Sequence, residues 1–298
     1  MGNLYIHVCG TTRVVDDGGN VIDKLGGVKP RQVLEILALS LGRPVSKDRI
    51  ADLLWDGAPP PSYVTTLESY VCLLRRLLGI KGRDSAIRTT TTGYLLRADA
   101  ARVDVLEARD GLLAAARTAD PDARAALVDE AIDLLHGEML ASEPHAVWAQ
   151  AHRASHERDV ASWCAEASEA MYALGDTRLA WRLGRFVTER DPLSERAWQV
   201  QIKALAAEDR AAEALHMYSR LRAVMLEELG TTPSPESQRL YAELLRRCSD
   251  ESRESNGGRE LRALIRLLRQ ALEAFPGLRV PDADEDLTRI AVRVLEVA

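Results

Sequence analysis

Aromatic residues are scarce in this sequence of 298 residues: they make up 5% of the chain, and two of them are phenylalanine. Its cores must therefore be built mainly from leucine, alanine and valine. No apolar run approaches the ~20 residues that a membrane-spanning helix needs, and the N-terminus lacks a basic segment followed by an apolar stretch. We therefore expect a cytoplasmic protein of about two domains, at ~150 residues each, with no membrane partner.

Cysteine and catalytic motifs are also rare. The four cysteines are Cys9, Cys72, Cys164 and Cys248. Because no two of them are close in sequence, neither a zinc finger nor a redox CxxC pair is expected. The chain has no GxSxG, no phosphate loop of the form GxxxxGKS or GxxxxGKT and no paired-carboxylate motif, so we expect no enzyme activity and no cofactor. His152 and His156, four residues apart, could hold a metal, but without a third ligand in sequence a solvated helix face is favoured.

Acidic residues outnumber basic ones, and the net charge of −6 at first argues against nucleic acid. The charge is unevenly distributed. Residues 1–98 hold 13 Lys and Arg and 9 Asp and Glu, a net charge of +4, whereas the remainder holds 26 basic and 36 acidic residues, a net charge of −10. Such asymmetry indicates a nucleic-acid-binding segment at the N-terminal end, although charge can also serve only to solvate a surface.

Residues 1–98 are predicted to form strands, three helices and a closing hairpin. The segments NLYIHVCG, TRVVDD and NVID are short and rich in β-branched residues, which predicts two or three antiparallel strands with a hairpin turn at 16–20. The first helix is expected over 29–41, with an apolar stripe of Val33, Leu34, Leu37 and Leu41. Ser46 is expected to cap the second helix. The third should run from about Ser62 to Leu78 and stop at Gly79, before the hairpin AIRTTTTGYLLRAD.

The chain from about Asp104 onward is rich in Ala, Leu, Arg and Glu and has helical periodicity. Two similar segments place Ala180 and Ala214 in equivalent positions 34 residues apart, which is the period of a tetratricopeptide repeat. Repeats of this kind offer a concave surface to a partner; a helical bundle with no groove in use is the alternative. The polar segment 249–258 is predicted to be a linker, followed by an amphipathic helical extension to residue 298.

The third helix has two contrasting faces. Its predicted buried stripe consists of Val64, Leu67, Val71, Leu74 and Leu78. The opposite side holds Thr65, Ser69, Leu73 and Arg76, flanked by Thr66 and Cys72, with Tyr70 and Arg75 on the shoulders of the stripe. Small polar groups let a helix backbone approach base edges in the major groove, and arginine can pair with guanine or reach phosphate. A recognition helix is therefore predicted, with an ordinary amphipathic surface helix as the alternative.

The elements around this helix complete a winged helix-turn-helix. The hairpin, or wing, carries Arg88 and a run of threonines that includes Thr90 and Thr91, which can donate to phosphates or enter a minor groove. Lys29 and Arg31 at the start of the first helix could also contact the DNA backbone, although each of these side chains could instead be merely solvated. The predicted fold is mainly α: an N-terminal winged helix-turn-helix (α+β) over 1–98, then an all-α tetratricopeptide-like domain over 104–247, with 248–298 as linker and extension.

The ordered segments LGGVKPRQVLEILAL, GRPVSKDRIADLLW, PPPSYVTTLESYVCLLRRLLG and GYLL resemble the OmpR-type winged helix of the Streptomyces antibiotic regulatory proteins. The later segments GDTRLAWRLGRFVTERDPLSERAW, AEALHMYSRLRAVMLEELGTTPSPE and LYAELL resemble that family's bacterial transcriptional activation domain. The resemblance covers residues 3–247. It implies an activator of a biosynthetic gene cluster that binds direct repeats in promoter DNA as side-by-side protomers, a homodimer on DNA. It also implies recruitment of the RNA polymerase holoenzyme through its sigma factor and other subunits.

Two departures from the family pattern affect the expected DNA contacts. Members usually have Ser and Arg where this chain has Cys72 and Leu73, and an Arg near Thr90. We expect Leu73 to face DNA and to alter base preference through contact with thymine methyl groups. The missing cations also support an alternative from another class, a tetratricopeptide-like interaction protein that does not itself bind DNA.

Overall fold

The computed structural model describes residues 4–79 and 85–254. The chain packs as two compact units that divide between Asp191 and Pro192. No helix in these described ranges is long and apolar enough to cross a membrane.

The first unit begins with a small sheet, as the β-branched segments predict. Its first three strands are β1 (Leu4–His7), β2 (Arg13–Val15) and β3 (Val21–Ile22), and a later strand, β7 (Ala101–Val103), joins them in the order β3-β2-β1-β7. The first three are antiparallel neighbours, with Tyr5 opposite Val15, whereas β7 runs parallel to β1. The antiparallel strands were predicted, and β7 was not.

Three helices follow: α1 (Val28–Leu39), α2 (Lys47–Leu54) and α3 (Tyr63–Leu77). Most of the apolar stripe of α1 is fully buried, and α1 packs against both α2 and α3. Ser46 caps α2 as predicted, because its side-chain oxygen accepts a hydrogen bond from the backbone N–H of Arg49 at 3.1 Å. Tyr63 at the start of α3 donates to Asp48 at 2.6 Å, which joins α3 to the first turn of α2.

The wing hairpin belongs to a three-stranded sheet that lies beside these helices. Its strands are β4 (Val45–Ser46), β5 (Ile87–Thr89) and β6 (Gly93–Leu96), all antiparallel, in the order β4-β6-β5. A β-carbon at Gly93 would lie 1.9 Å from the carbonyl oxygen of Val45. Only glycine therefore permits β4 and β6 to approach this closely, which fixes the wing against the start of α2.

The remaining helices of the first unit form two antiparallel pairs. They are α4 (Asp104–Ala115), α5 (Pro121–Leu134), α6 (Val147–Ala173) and α7 (Thr177–Thr188). Helix α4 packs against α5, and α6 packs against α7. Asp120 caps α5, with Pro121 in its first turn, and Asp176 caps α7.

The second unit continues the helical repeat with α8 (Glu195–Ala207), α9 (Ala211–Leu229) and α10 (Pro235–Glu254). Ala180 in α7 and Ala214 in α9 are both fully buried, which matches the equivalent positions predicted from the 34-residue period. Trp198 of α8 packs with Leu221 and Met225 of α9. The backbone of α10 remains helical through Glu254, so the prediction of a linker from residue 249 was wrong for 249–254. The predicted extension beyond it lies outside the described residues.

The winged helix and the helices after it pack as one body in the first unit. The Asp104 carboxylate, 1% exposed, accepts hydrogen bonds from the backbone N–H groups of Val8 and Cys9 at 2.9 Å and of Val105 at 2.8 Å. Burial disfavours the charged form and raises the pKa of Asp104 to about 6, against the opposing effect of these hydrogen bonds. Asp104 begins α4 and is bonded to the strand region of the winged helix, and β7 pairs with β1. The change of composition near residue 100 is therefore not a boundary between separately packed units.

Candidate nucleic-acid interface

Helix α3 turns one apolar stripe inward. Leu67, Val71, Leu74 and Leu78 are 0–5% exposed, whereas Val64 is 38% exposed. Four members of the predicted buried stripe are therefore confirmed, and the prediction for Val64 was wrong. Val64 lies in the first turn of the helix.

The opposite face of α3 presents a strip of small groups and one cation. Thr65, Ser69, Cys72 and Arg76 are all exposed and recur at spacings of three and four. The Ser69 hydroxyl donates to the carbonyl oxygen of Thr65 at 3.0 Å, and the half-buried Thr66 donates to Ser62 in the same way. Because these hydroxyl protons already form hydrogen bonds within the helix, the hydroxyl oxygens can only accept further hydrogen bonds.

Leu73 does not belong to this strip, and the prediction that it faces outward was wrong. Its side chain is half-buried and covers Gly26: a β-carbon there would lie 2.4 Å from Leu73 Cδ2 and 3.5 Å from Leu77 Cδ1. Gly26 has a φ of +81°, which favours glycine, and its missing side chain leaves the room that the leucine fills. Leu73 is therefore an edge residue of the core.

The two adjacent arginines of α3 have different environments. Arg75 is half-buried, and it donates from Nε to the carbonyl oxygen of Ile87 and from Nη2 to Thr89 Oγ1, both at 2.9 Å. It thus connects the end of α3 to strand β5 of the wing. Neither acceptor is charged, so within the described residues these hydrogen bonds leave the positive charge of Arg75 without a carboxylate partner. Arg76 is exposed and has no hydrogen-bond or ion-pair partner among the described residues.

The wing places its predicted residues at different depths. Arg88 is exposed on β5, opposite Leu95 of β6. Thr90 is half-buried and closes the hairpin: its N–H donates to the Gly93 carbonyl at 2.9 Å, and its hydroxyl accepts from the Gly93 N–H at 3.1 Å. Thr91 at the tip is exposed. Arg88 and Thr91 therefore lie at the surface of the wing, whereas Thr90 shapes the turn.

One carboxylate on α3 is neutralised by a neighbour that sequence reasoning did not single out. Lys47, the first residue of α2, donates to Glu68 Oε1 at 2.7 Å, and this hydrogen bond raises the pKa of Lys47. The Lys47 ammonium also lies 5.8 Å from the ring centroid of Tyr94 in the wing. The only acidic residue of α3 is thus paired rather than left to repel an anion. The i-to-i+21 separation of this pair gives no periodic signal in the sequence.

Lys29 and Arg31 are engaged inside the protein rather than free to contact phosphate. Lys29 donates to the carbonyl oxygen of Leu54. Arg31 donates to Glu143 Oε1 from Nη2 at 2.6 Å and to the Ser142 carbonyl oxygen at 2.8 Å. These contacts hold α1 to the end of α2 and to the segment before α6. The predicted backbone contact of Arg31 is therefore corrected to a structural one, because its charge is paired with Glu143. Lys29 uses one of its three N–H donors at Leu54, and its contact with the DNA backbone stays a prediction.

The two histidines of α6, His152 and His156, have different neighbours. His156 Nε2 lies 3.9 Å from Cys9 Sγ, and the ring of His152 packs edge-on against Trp148. Burial lowers the pKa of both histidines. Among the residues that the structure describes, no group of three or more His, Cys, Asp or Glu could hold a metal ion.

Comparison with known proteins identifies both parts of the chain. Residues 26–96 match the family model of the C-terminal domain of transcriptional regulatory proteins, and residues 98–245 match that of the bacterial transcriptional activator domain. The regulatory protein DnrI of Streptomyces peucetius is 31% identical over 251 residues, covering 77% of this chain and 87% of its own. The regulatory protein AfsR of Streptomyces griseus is 30% identical over 235 residues, or 76% of this chain but 23% of AfsR.

A solved structure shows the same fold. Mycobacterium tuberculosis EmbR, in complex with a low-affinity phosphopeptide, superimposes with a TM-score of 0.68 at 25% identity, over 83% of this chain and 66% of that one. The similarity to DnrI spans most of both chains. The chain therefore belongs to the Streptomyces antibiotic regulatory protein family of transcriptional regulators, which combine an OmpR-type winged helix with a bacterial transcriptional activator domain.

Proposed function

We propose that this regulator activates transcription by binding promoter DNA in a sequence-specific manner, with α3 in the major groove and the wing beside it. The observation that supports this proposal most strongly is the outward strip of α3. Thr65, Ser69 and Cys72 are small enough to let the helix backbone approach base edges, and Arg76, at the end of the same strip, is an exposed cation with no partner in the part of the chain that the structure describes.

The residues on and around the strip have different roles in the proposed recognition of DNA. In this proposal Arg76 pairs with guanine or reaches a phosphate, and Ser69 accepts a hydrogen bond from a base amino group. Arg88 and Thr91 of the wing contact phosphates, which positions the helix without reading sequence. Arg75 acts indirectly, because its hydrogen bonds fix the wing relative to α3 and its charge adds to the local positive potential.

The wider role that we propose is the one that the family resemblance implies. Side-by-side protomers bind direct repeats as a homodimer on the DNA, and the complex recruits RNA polymerase holoenzyme through its sigma factor. The regulated genes belong to a biosynthetic cluster. The helical repeats support this part of the proposal, since paired helices of this type offer extended surfaces to protein partners.

Footprinting on the promoters of the neighbouring genes tests this proposal. The expected result is protection of two directly repeated segments, with polymerase captured by the protein only when promoter DNA is present. Absence of protection even at low salt, together with capture of polymerase without DNA, would contradict it. That outcome would favour the interaction protein that does not itself bind DNA.

A further inference from the structure

Glu68 is an exposed carboxylate on the outward face of α3. It follows Thr65 by three residues and precedes Cys72 by four, so it lies on the same face of the helix as the outward strip. Its side chain is 56% exposed even though it is paired with Lys47. Thr65 and Cys72 have shorter side chains than glutamate, and neither covers the carboxylate. A group that only accepts hydrogen bonds is therefore accessible on the face that we propose to meet DNA.

The hydrogen bond with Lys47 occupies only one oxygen of this carboxylate. Lys47 donates to Oε1 at 2.7 Å, and within the described residues Oε2 has no hydrogen-bond partner. The Lys47 ammonium also lies 5.8 Å from the ring centroid of the buried Tyr94, so the partner of Glu68 is itself held in place. Because the two charges of the pair offset each other, Glu68 repels the phosphates of DNA less than an unpaired carboxylate would.

An acceptor-only group discriminates among the bases in the major groove. Cytosine presents its N4 amino group there as a donor and presents no acceptor. Guanine presents the two acceptors N7 and O6, and thymine presents the acceptor O4 beside a methyl group. Adenine presents its N6 amino group next to the acceptor N7. Cytosine is therefore the base that offers a carboxylate a donor without an acceptor at its side.

We propose that Glu68 is a specificity-determining residue that accepts a hydrogen bond from the N4 amino group of a cytosine in the major groove, while its other carboxylate oxygen stays bonded to Lys47. This inference rests on the proposed binding of DNA by α3 and adds to it the identity of one base. If Glu68 served only as the partner of Lys47, its removal would change the affinity for all DNA sequences alike.

The test measures the base preference of the full chain at each position of one repeat. The probe is a fluorescein-labelled promoter duplex, and the competitors are duplexes in which each base pair of the repeat is replaced in turn by the three others. Affinities are determined by fluorescence anisotropy at one fixed salt concentration, because they depend strongly on salt. At one position we expect the wild type to bind the duplex with cytosine about tenfold more tightly than the duplexes with guanine or thymine.

Three variants make the result specific. Glu68→Gln replaces the carboxylate by an amide that both donates and accepts, so the preference at this position should move to adenine, by about tenfold. Glu68→Ala should lose the preference at this position and keep the preferences at the others. Glu157→Gln neutralises an exposed carboxylate of α6 outside the interface and should have the base preferences of the wild type. Because Glu68 is exposed, its substitutions leave the buried stripe of α3 intact.

The possible results separate this inference from the proposed function. If the wild type does not bind promoter DNA, the proposed role of α3 and the role of Glu68 are both overturned. If the wild type binds but Glu68→Gln and Glu68→Ala keep its base preference at every position, only the role of Glu68 is overturned. The same holds if the position that responds to Glu68→Ala is one at which the wild type does not prefer cytosine.

Discussion

Arg75 and Arg76 are adjacent and identical in charge, yet the structure predicts opposite consequences for their removal. Arg75→Ala deletes two charge-assisted hydrogen bonds of 2.9 Å, to the Ile87 carbonyl and the Thr89 hydroxyl. Such bonds contribute roughly 1.5–3 kcal/mol each when buried. Because Arg75 is half-buried and water can replace it at both acceptors, we expect the pair together to contribute about 1–2 kcal/mol. Arg76→Ala deletes no contact within the described structure and should change stability by less than about 0.5 kcal/mol.

These values translate into a measurable difference in thermal unfolding. For a unit of about 190 residues, 1 kcal/mol corresponds to a shift in Tm of roughly 2–4 °C. We therefore expect Arg75→Ala to lower the Tm of the first unit by about 2–8 °C, as followed by circular dichroism. Hydrogen exchange should increase in the wing, whose strand β5 loses its attachment to α3.

Arg75→Lys and Arg76→Ala serve as matched variants for this prediction. The lysine keeps the charge but can satisfy only one acceptor at a time, so it should recover about half of the loss in stability. The reasoning would be refuted if Arg75→Ala melted like wild type, or if Arg76→Ala lowered the Tm by as much as Arg75→Ala did.

Further predictions concern positions where burial or close approach decides the outcome. Gly93→Ala should destabilise the wing by about 1–3 kcal/mol in chemical denaturation, because its β-carbon would lie 1.9 Å from a carbonyl oxygen of β4; an unchanged midpoint would contradict this. Burial raises the pKa of Glu35 to about 8, above its usual 4.5. The protonated side chain therefore makes its whole contribution to the free energy of unfolding below about pH 4.5, and this contribution is lost as the pH rises through about 8. Glu35→Gln should therefore flatten the fall in Tm that wild type shows above about pH 6, where the Asp104 carboxyl has already titrated. Glu143→Ala removes the carboxylate that pairs with Arg31 and should lower the free energy of unfolding by about 3–5 kcal/mol, while Glu138→Ala, on an exposed carboxylate nearby, should cost less than about 1 kcal/mol.

Local sequence patterns predicted the elements of this fold well. The short segments rich in β-branched residues predicted the antiparallel strands, and Ser46 predicted the start of α2. The 34-residue spacing of Ala180 and Ala214 predicted equivalent positions in two helical pairs, and both alanines are buried. Each of these signals lies within a few residues or within one repeat. The buried stripe of α3 was likewise visible from its spacing, apart from its first turn at Val64.

The errors arose where a residue's environment is supplied by a distant part of the chain. The helical wheel placed Leu73 outward because it records only the helix itself, whereas Gly26 from the turn before α1 lies against that side. The partner of Arg31 is Glu143, 112 residues further along, so its positive charge could not be known to be paired. In the same way, the helical wheel could not distinguish Arg75, which is bonded to the wing, from the exposed Arg76. The candidate interface is therefore smaller than the sequence predicted, and its cations are fewer.

The central claim is that α3 is the recognition helix, and its exposed cation Arg76 allows a direct test. The decisive measurement is the affinity for a promoter fragment that contains the protected repeats, determined by fluorescence anisotropy over a range of salt concentrations. The proteins compared are wild type, Arg76→Ala and the control Arg158→Ala. Arg158 is an exposed arginine of α6 outside the interface, so its variant controls for the loss of one positive charge.

If α3 reads DNA, the affinity of the wild type falls steeply as the salt concentration rises. If Arg76 pairs with a base, Arg76→Ala weakens binding by about 1–3 kcal/mol. If Arg76 contacts a phosphate instead, Arg76→Ala reduces the slope of the salt dependence by about one. Arg158→Ala should bind as wild type does. Salt-insensitive binding, or an equal loss in Arg76→Ala and Arg158→Ala, would contradict the assignment of α3 as the recognition helix.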